Sequence, residues 1–310
     1  MFDPFKIDGP TCVNVSGGRT SAYLLSRVIE SNGGIPDGTH LIFCNTGKED
    51  EATLKFVNDM SVHWGVPITW LEYRFSPDAT AVRGLLRAMV HSIEPGLTEV
   101  IPMGRQFEVV TYETASRNGE PFEAVIRQRG GVLPNPRSRY CSSEMKTRTI
   151  HRYLRSLGIQ EWETMLGIRA DEPRRVAKFR FNPHPETPDE FVRIPLADAF
   201  VTAGAVGEFW RAQPFDLALP NNGGKTIHGN CDLCFLKTGA SLVSLIAEKP
   251  ERGVWWAAQE KKAEAVAHGD GCRFRIDRPG YASMYDFAKN QADMYGFDKG
   301  EEAISCFCGD

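Results

Sequence analysis

The sequence predicts an α/β fold, an open and mostly parallel twisted sheet with helices on both faces. Three short apolar segments carry this prediction, because each is bounded by turn residues and has the length of a strand: TCVNV (11–15), HLIFCN (40–45) and PITWLEY (67–73). A helical pattern follows each of the first two segments. Strands that alternate with helices at this spacing form parallel sheets covered on both faces.

The segments between and after these strands predict amphipathic helices. The first helix covers about residues 20–29, and the second follows TGKEDE (46–51), whose acidic residues suit a helix N-terminus. SSEMKTRTIHRYLRSLG (142–158) predicts a basic amphipathic helix that ends at a glycine. WETMLGIRA (162–170) predicts a further strand, which runs into a charged turn at DEPRR (171–175).

The distribution of these patterns predicts two regions. Residues 1–215 carry the strand–helix alternation and form the predicted α/β domain. Within it, residues 76–136 predict an inserted segment, because the strand and helix signals weaken and Gly, Arg and Pro accumulate toward its end. Residues 216–310 predict a helical, cysteine-containing region that packs on the site and ends in an irregular tail.

Composition restricts the classes of protein that fit. Of the 310 residues, 42% are apolar and 25% charged, which is ordinary for a globular protein with a sizeable core. A formal charge of −4 gives no global basic field, so contact with nucleic acid would need a local patch. No apolar run approaches the twenty residues that span a bilayer, and MFDPFKIDGP (1–10) lacks the layout of a signal peptide. We therefore expect a cytoplasmic protein with no membrane partner.

The eight cysteines are too dilute for a disulfide scaffold in a chain of 310 residues. In a reducing compartment, clustered cysteines indicate metal or redox chemistry instead. Two pairs are clustered, Cys231 with Cys234 in GNCDLCF and Cys306 with Cys308 in CFCGD near the end of the sequence. On spacing alone, the first pair could be half a zinc site, half an iron–sulfur site, a redox pair or two buried small residues.

SGGRTS (16–21) joins the first predicted strand to the first predicted helix. A glycine-rich loop at this place leaves backbone N–H groups at the positive end of the helix dipole, where phosphates bind. A tight strand–helix turn also explains the loop, since it has neither the G-x-x-x-x-G-K-[ST] nor the G-x-G-x-x-G spacing. The loop alone therefore leaves both interpretations open.

Five segments, in order along the chain, resemble the PP-loop adenine-nucleotide superfamily and its phosphoadenosine phosphosulfate (PAPS) reductase branch. SGGRTS resembles the SGGxDS loop of the superfamily, and CNTGKEDEATLKFV (44–57) resembles the T-G-x-E-x-x-x-T-x-x-F-V stretch of the branch. RYCSSEMKTRTI (139–150) resembles its Cys-x-x-x-x-Lys segment, and GIRADEPRR (167–175) its G-x-R-x-x-E-x-x-R segment. IPLADAFVTAGAVGEFW (194–210) is similar to the segment before a late Cys-x-x-Cys. The branch includes PAPS and adenosine phosphosulfate (APS) reductases and the sulfur-transfer enzymes of DNA phosphorothioation.

The resemblance implies that an adenine nucleotide (ATP, APS or PAPS) lies across the carboxyl ends of the strands in the α/β domain. The implied binding residues are Ser16, Gly17, Gly18, Arg19, Thr20, Ser21, Thr46, Gly47, Glu49, Arg169 and Arg174. On the residues alone, a solvated charged turn paired with Asp171 and Glu172 is the simpler explanation of the two arginines.

Thr20 departs from the family pattern, because ATP-cleaving members carry an Asp there that organises metal-bound pyrophosphate. The missing carboxylate and the added charge of Arg19 favour a sulfonucleotide substrate. The acidic GKEDE stretch (47–51) could still supply carboxylates for Mg²⁺.

The resemblance also implies a 4Fe–4S cluster, with zinc as the alternative, on Cys141, Cys231 and Cys234. The early family segment normally has a Cys-Cys pair, whereas this chain has Tyr140 before Cys141, so the fourth ligand must come from elsewhere. Cys308 is the candidate.

Cys306 and Cys308 also stand where reductases of the branch carry a nucleophilic cysteine in a mobile carboxyl-terminal segment. Together with Arg19 and Lys146, they form the predicted catalytic set, although Lys146 could point either to the nucleotide or to water.

The predicted function is sulfonucleotide reduction with electrons from a donor such as thioredoxin. One alternative is ATP-dependent insertion of sulfur into a nucleic acid or a small molecule. An alternative of another class is a non-catalytic nucleotide- or nucleic-acid-binding module with structural zinc, and an oligomer is compatible with each. The scattered histidines are interpreted as surface or supporting residues, and His228 before GNC could donate to a cluster sulfur.

Overall fold

The structure is a computed structural model and describes residues 2–76, 106–221, 226–266 and 271–290. Its strands are β1 (Thr11–Asn14), β2 (Thr39–Asn45), β3 (Ile68–Tyr73), β4 (Phe107–Val110), β5 (Trp162–Met165) and β6 (Glu190–Arg193). They form one sheet in the order β4-β3-β2-β1-β5-β6, in which β3 and β4 are antiparallel and the other neighbours are parallel. The predicted α/β fold with a mostly parallel sheet is confirmed.

The helices surround this sheet. They are α1 (Arg19–Asn32), α2 (Glu51–Trp64), α3 (Glu120–Gln128), α4 (Tyr140–Ser142), α5 (Arg148–Ser156), α6 (Pro173–Phe181), α7 (Pro195–Asp198), α8 (Ala203–Arg211), α9 (Gly239–Glu248), α10 (Glu251–Glu264) and α11 (Tyr281–Asn290). A π-helical turn, Ser143–Thr147, connects α4 to α5. Within the described ranges, every helix is too short or too polar to span a bilayer.

Alternate residues of the central strands point to opposite faces of the sheet, as the pleat requires. Val13 and Phe43 pack in the core under α1 and α2, whereas Cys12 and Ile42 pack in the core under α5. A third core surrounds the fully buried Trp256 and joins α3 to α9, α10 and α11. Trp256 is therefore a core residue.

The order in which the chain adds strands to the sheet reverses at β1, and we call this point the chain reversal. The chain runs from β1 to β2 and β3 on one side, and β5 then returns to the other side of β1. In open α/β sheets, ligands bind outside the carboxyl ends of the strands at such a reversal. The loops after β1 and β5 meet there, since a Cβ atom added to Gly167 would lie 2.9 Å from Ser21 Cα.

Two local predictions need correction. Residues 107–110 and 120–128, within the predicted inserted segment, form β4 and α3, so part of that segment belongs to the sheet and its covering layer; residues 77–105 lie outside the described ranges. The predicted charged turn at DEPRR is confirmed only at its start, because Ala170 and Asp171 form a turn and α6 begins at Pro173. A proline fits the first position of a helix, where no N–H donor is needed.

Candidate functional site

The glycine loop lies between β1 and α1 as the sequence predicts. Gly17 has φ +81°, and a Cβ atom there would lie 2.5 Å from the Thr53 methyl group. Gly18 caps α1 in an extended conformation, and within the described residues no side chain bonds to the N–H groups of the first turn. Ser16 donates from its N–H and its hydroxyl to Ser21 Oγ, over 3.1 and 2.8 Å. The loop is therefore closed on itself, and the N–H groups at the start of α1 have no side-chain partner in the described residues.

Arg19 points away from this loop. Its guanidinium donates to both oxygens of Asp216 at 2.7 and 2.8 Å, and to the Leu217 carbonyl at 2.5 Å. A bidentate carboxylate is a strong partner for an arginine, so its charge is already occupied. This contact argues against the predicted role of Arg19 as an anion-binding or catalytic cation.

Thr20 and Arg169 meet at the chain reversal. Arg169 Nη1 donates to the buried Thr20 Oγ1 at 2.9 Å, and Arg169 Nε donates to Asp171 at 2.9 Å. The structure thus places Arg169 beside the glycine loop, while part of its charge is paired within its own turn. Arg174 is exposed on the first turn of α6, and no contact in the described residues brings it to the loop.

The loop after β2 forms the next wall of the site. Thr46 donates from its N–H and hydroxyl to Glu49 Oε2 at 2.9 and 2.8 Å. Gly47 has φ +74°, and a Cβ atom there would lie 3.0 Å from the Gly119 nitrogen, so the close approach of α3 requires glycine. Glu49 Oε1 is buried and has no hydrogen-bond partner within the described residues, which leaves one carboxylate oxygen for a donor or cation.

The Cys-x-x-C segment is attached to this same loop. Cys231 Sγ lies 3.4 Å from Thr46 Oγ1, and Cys231 forms an isolated β-bridge with Glu49. Beside this bridge, Lys48 Nζ and Asp232 Oδ2 form a buried ion pair at 3.0 Å. The loop after β2 and the cysteine segment therefore behave as one unit, although they are far apart in sequence.

A cavity of about 300 Å³ lies against β5 and β6 and reaches the carboxyl ends of β1 and β2. Asn14 of β1, Thr46 and Thr164 of β5 contribute to its wall, together with apolar side chains. Three predicted ligands and one predicted catalytic cation also line it: Cys141, Cys231, Cys234 and Lys146. The structure thus brings together thiols from two distant segments, whereas Cys306 and Cys308 lie outside the described residues.

The thiols in this cavity belong to the predicted metal site. In the described part of the chain, no three His, Cys, Asp or Glu side chains stand in a metal-binding arrangement. Burial, reinforced by Glu49, raises the pKa of the Cys231 thiol well above its usual range, and burial raises the pKa of Cys44 to about 12. Thiolates rather than thiols bind metals. The cluster on Cys141, Cys231, Cys234 and Cys308 stays a prediction.

Two buried cavity residues have no role in the sequence prediction. His151 of α5 lies with Nε2 at 3.1 Å from Oε2 of Glu190, the first residue of β6, and both side chains line the cavity. The interpretation of His151 as a surface or supporting residue is wrong in its first part, because only 7% of its surface is exposed. Helical spacing could have indicated that His151 is buried, since it lies on the same apolar helix face as Ile150 and Leu154. His228 pairs with Glu248 at 2.8 Å.

The cavity-lining Cys141 lies just before a distorted helical turn, and the cavity-lining Lys146 lies within that turn. The turn Ser143–Thr147 is π-helical, a distortion that is frequent at functional sites. Glu144, in this turn, is 2% exposed and accepts hydrogen bonds from three arginines at 2.7, 2.8 and 3.1 Å. The donors are Arg129, Arg148 and Arg152. This cluster anchors the turn that carries Lys146 and directly follows the segment with Cys141.

No protein-family model matches the chain. The "Uncharacterized nin region protein ORF290" of Escherichia phage lambda is 26% identical over 310 residues, a match that covers 95% of this chain and 93% of that protein. The similarity thus extends over nearly the full length of both proteins. The name of the phage protein states no activity.

Glu144 gives a testable pH dependence. Burial alone would raise the pKa of this carboxyl, but hydrogen bonding to Arg152 and the charges of Arg148 and Arg129 outweigh it and lower the pKa. A lowered pKa stabilises the fold above the unfolded-state pKa, and the stabilisation is lost as pH falls through the folded-state pKa. We expect Glu144→Gln to reduce the free energy of unfolding at pH 7 by about 1.5–3 kcal/mol.

Urea unfolding of the wild type and the variant, at pH 7 and in strong acid, measures this effect. The difference between the two proteins should shrink in acid, where the wild-type carboxyl is protonated as well. Glu264→Gln, on an exposed position of α10, is the matched control and should change stability at neither pH. A Glu144→Gln difference that stays constant across the pH range would contradict the assignment.

Proposed function

We propose that this protein is an enzyme of sulfur chemistry that binds an adenine nucleotide at the glycine loop and reduces a sulfonucleotide such as APS or PAPS. The observation that carries the proposal is the position of three thiols. Cys141, Cys231 and Cys234 line one cavity that reaches the carboxyl ends of β1 and β2, beside the chain reversal that the glycine loop occupies. Nucleotide phosphates and reactive sulfur would therefore meet at one edge of the sheet.

The glycine loop supports the nucleotide part of the proposal. The N–H groups at the start of α1 would bind phosphate or sulfate oxygens, since no side chain within the described residues caps them. Thr20 adds no negative charge to this loop, and its hydroxyl accepts a hydrogen bond from Arg169. An anion at the loop would therefore face the arginine without an intervening carboxylate, which favours a sulfonucleotide over metal-bound pyrophosphate.

The thiols support the redox part of the proposal. A protein thiol attacks the sulfate sulfur, an S–S bond forms, the S–O bond to the nucleotide breaks, and the nucleotide leaves with the bonding pair. A second thiol then attacks the resulting thiosulfonate, so that sulfite leaves and a disulfide forms. The two thiols supply both electrons, and a dithiol donor such as thioredoxin would reduce the disulfide again.

Glu49 is the one observation that favours ATP-dependent sulfur insertion instead. Its buried Oε1 has no hydrogen-bond partner within the described residues, next to the loop after β2. A carboxylate oxygen in that position could hold a Mg²⁺ ion on the pyrophosphate of ATP. This second candidate predicts a different product, and the same experiment separates the two.

Anaerobic incubation of the full chain with ATP, APS and PAPS in turn tests the proposal. We expect sulfite and the corresponding adenosine phosphate from APS or PAPS in the presence of a dithiol, and no pyrophosphate from ATP. Pyrophosphate from ATP without sulfite from either sulfonucleotide would show that the sulfur-insertion alternative is correct. If none of the three nucleotides is turned over and the protein holds stoichiometric zinc, the result would favour the alternative of a non-catalytic binding module with structural zinc.

Thr20→Asp sharpens this test, because the new carboxylate would pair with Arg169 and repel a bound anion that carries no metal. We expect the affinity for APS to fall about tenfold and the affinity for Mg·ATP to rise about tenfold. Each change corresponds to about 1.4 kcal/mol in the free energy of binding. Ser31→Asp adds the same charge at the far end of α1 and should change neither affinity. An unchanged preference in Thr20→Asp would remove Thr20 from the argument.

A further inference from the structure

One wall of the cavity contains a buried hydrogen-bond network. None of its members is one of the thiols or one of the residues proposed to bind the nucleotide. Trp162 Nε1 lies 3.1 Å from Thr164 Oγ1, which lies 2.7 Å from Glu190 Oε1. The other oxygen of Glu190 lies 3.1 Å from His151 Nε2. The network joins β5, β6 and α5, and His151, Thr164 and Glu190 all line the cavity.

The donors in this network determine which nitrogen of His151 carries the proton. An indole N–H can only donate, so Thr164 Oγ1 accepts from Trp162 and its own hydroxyl proton goes to Glu190. The Glu190 carboxylate then accepts on both oxygens, which requires a proton on His151 Nε2. Nδ1 of the neutral ring is therefore an acceptor.

The surroundings fix the orientation of this ring. The His151 imidazole lies edge-on to the Trp162 indole, with ring centroids 5.0 Å apart and planes at 69°. Within the described residues, no hydrogen bond of the protein uses His151 Nδ1. Because Nε2 is committed to Glu190 and the side chain lines the cavity, Nδ1 is the atom that a cavity ligand would meet.

We propose that His151 is the general base of the site, oriented by Glu190, and that its Nδ1 removes the proton of the nucleophile that attacks the bound nucleotide. This inference rests on the proposed function. The nucleophile is a neutral hydroxyl or thiol, which loses its proton to Nδ1 as it forms a bond to the sulfur or phosphorus of the nucleotide. The nucleotide leaving group departs with the electron pair of the broken bond, and Glu190 stabilises the imidazolium.

The other groups of the cavity are consistent with this role. The charged side chains that share the cavity with His151 and Glu190 are Arg139, Lys146, Lys178 and Glu186. Three of these four are basic, which suits an anionic substrate, and Glu190 is also close enough to Cys12 to act on it electrostatically.

The tautomer of His151 can be measured without any substrate. In the full-length protein labelled with ¹⁵N-histidine, we expect two-bond ¹H–¹⁵N correlations of a protonated Nε2 and an unprotonated Nδ1 at neutral pH. Glu190→Gln should move the signal toward a mixture of tautomers, because the amide can donate as well as accept. A protonated Nδ1 in the neutral wild-type ring would overturn the inference, whether or not any nucleotide is turned over.

The kinetic test uses the sulfonucleotide that the wild type turns over. General base catalysis contributes about 10²- to 10⁴-fold, so we expect His151→Gln to lower kcat at least about 100-fold with little change in KM. The acidic limb that protonation of an imidazole base imposes on kcat should also disappear. Glu190→Gln should lower kcat less than His151→Gln and alter the pH profile, as a positioning residue would.

His63→Gln is the matched control, since His63 is exposed on α2 and its ring stacks on Phe215. Thermal unfolding confirms that each variant is folded, and Gln at position 151 can still donate to Glu190. Wild-type kcat and pH profile in His151→Gln would overturn the inference and leave the proposed function intact. Absence of turnover in the wild type would overturn the proposed function, and the ¹⁵N spectrum would still decide whether Nδ1 is an acceptor.

Discussion

Replacing Asp232 by Ala is expected to lower the free energy of unfolding by about 3–5 kcal/mol, because it leaves a buried lysine without its counter-charge. Lys48 Nζ lies 3.0 Å from Asp232 Oδ2, and both side chains are only 8% exposed. Asp232 Oδ1 also accepts from Trp256 Nε1 at 2.8 Å and from the Leu233 N–H at 2.7 Å. The substitution therefore strands three donors in the core beside the cysteine segment. Equilibrium unfolding in urea measures the loss.

The chain supplies a matched comparison on its surface. Lys55 and Asp59 form an ion pair at 2.5 Å on α2, with the lysine 62% exposed, so Asp59→Ala should cost less than about 1 kcal/mol. Removing both buried charges, in Lys48→Met with Asp232→Leu, should recover much of the stability lost in Asp232→Ala. Equal effects of Asp232→Ala and Asp59→Ala would show that the buried pair does not hold the cysteine segment on the loop after β2.

The four strands that the sequence predicts are the interior strands of the sheet, and β5 ends at Met165, five residues before its predicted end. β1, β2 and β3 are buried central strands, and their patterns identify them within one or two residues. β4 (FEVV) and β6 (EFVR) are four-residue edge strands with exposed side chains, so their patterns are too short and too polar to stand out. The charged residues of DEPRR favour a turn, whereas Pro173 suits the first position of α6.

Local sequence also locates the loops of the site better than it locates their partners. The glycine loop and the loop after β2 follow from the strand–helix pattern, and the structure brings Cys141 to the same cavity as Cys231. The partner of Arg19, by contrast, is Asp216, 197 positions away, and His151 meets Glu190 across 39 positions. Such contacts depend on how distant loops pack, and charge patterns within one segment carry no information about them.

Gly17→Ala is expected to lower the free energy of unfolding by about 2–5 kcal/mol and to weaken nucleotide binding more than tenfold. A left-handed conformation costs an alanine about 1–2 kcal/mol, and overpacking adds about 1–3 kcal/mol. The new Cβ would lie 2.5 Å from the Thr53 methyl group, on a side chain that is 4% exposed in α2. Relief of this clash must displace the loop, and with it the N–H groups proposed to bind phosphate. Urea unfolding and nucleotide titration measure the two effects.

Two further variants separate the conformational cost from the clash. Gly38→Ala, at a φ of +78° with nothing within 4 Å of the new Cβ, should show the conformational cost alone, about 1–2 kcal/mol, and no loss of nucleotide affinity. Thr53→Ser removes the methyl group that the alanine would strike, so it should restore part of the stability and the affinity in the Gly17→Ala background. If Gly17→Ala behaves like Gly38→Ala in both measurements, the close packing of the loop on α2 is irrelevant to binding. A rescue confined to stability would mean that the left-handed backbone at Gly17 positions the N–H groups by itself.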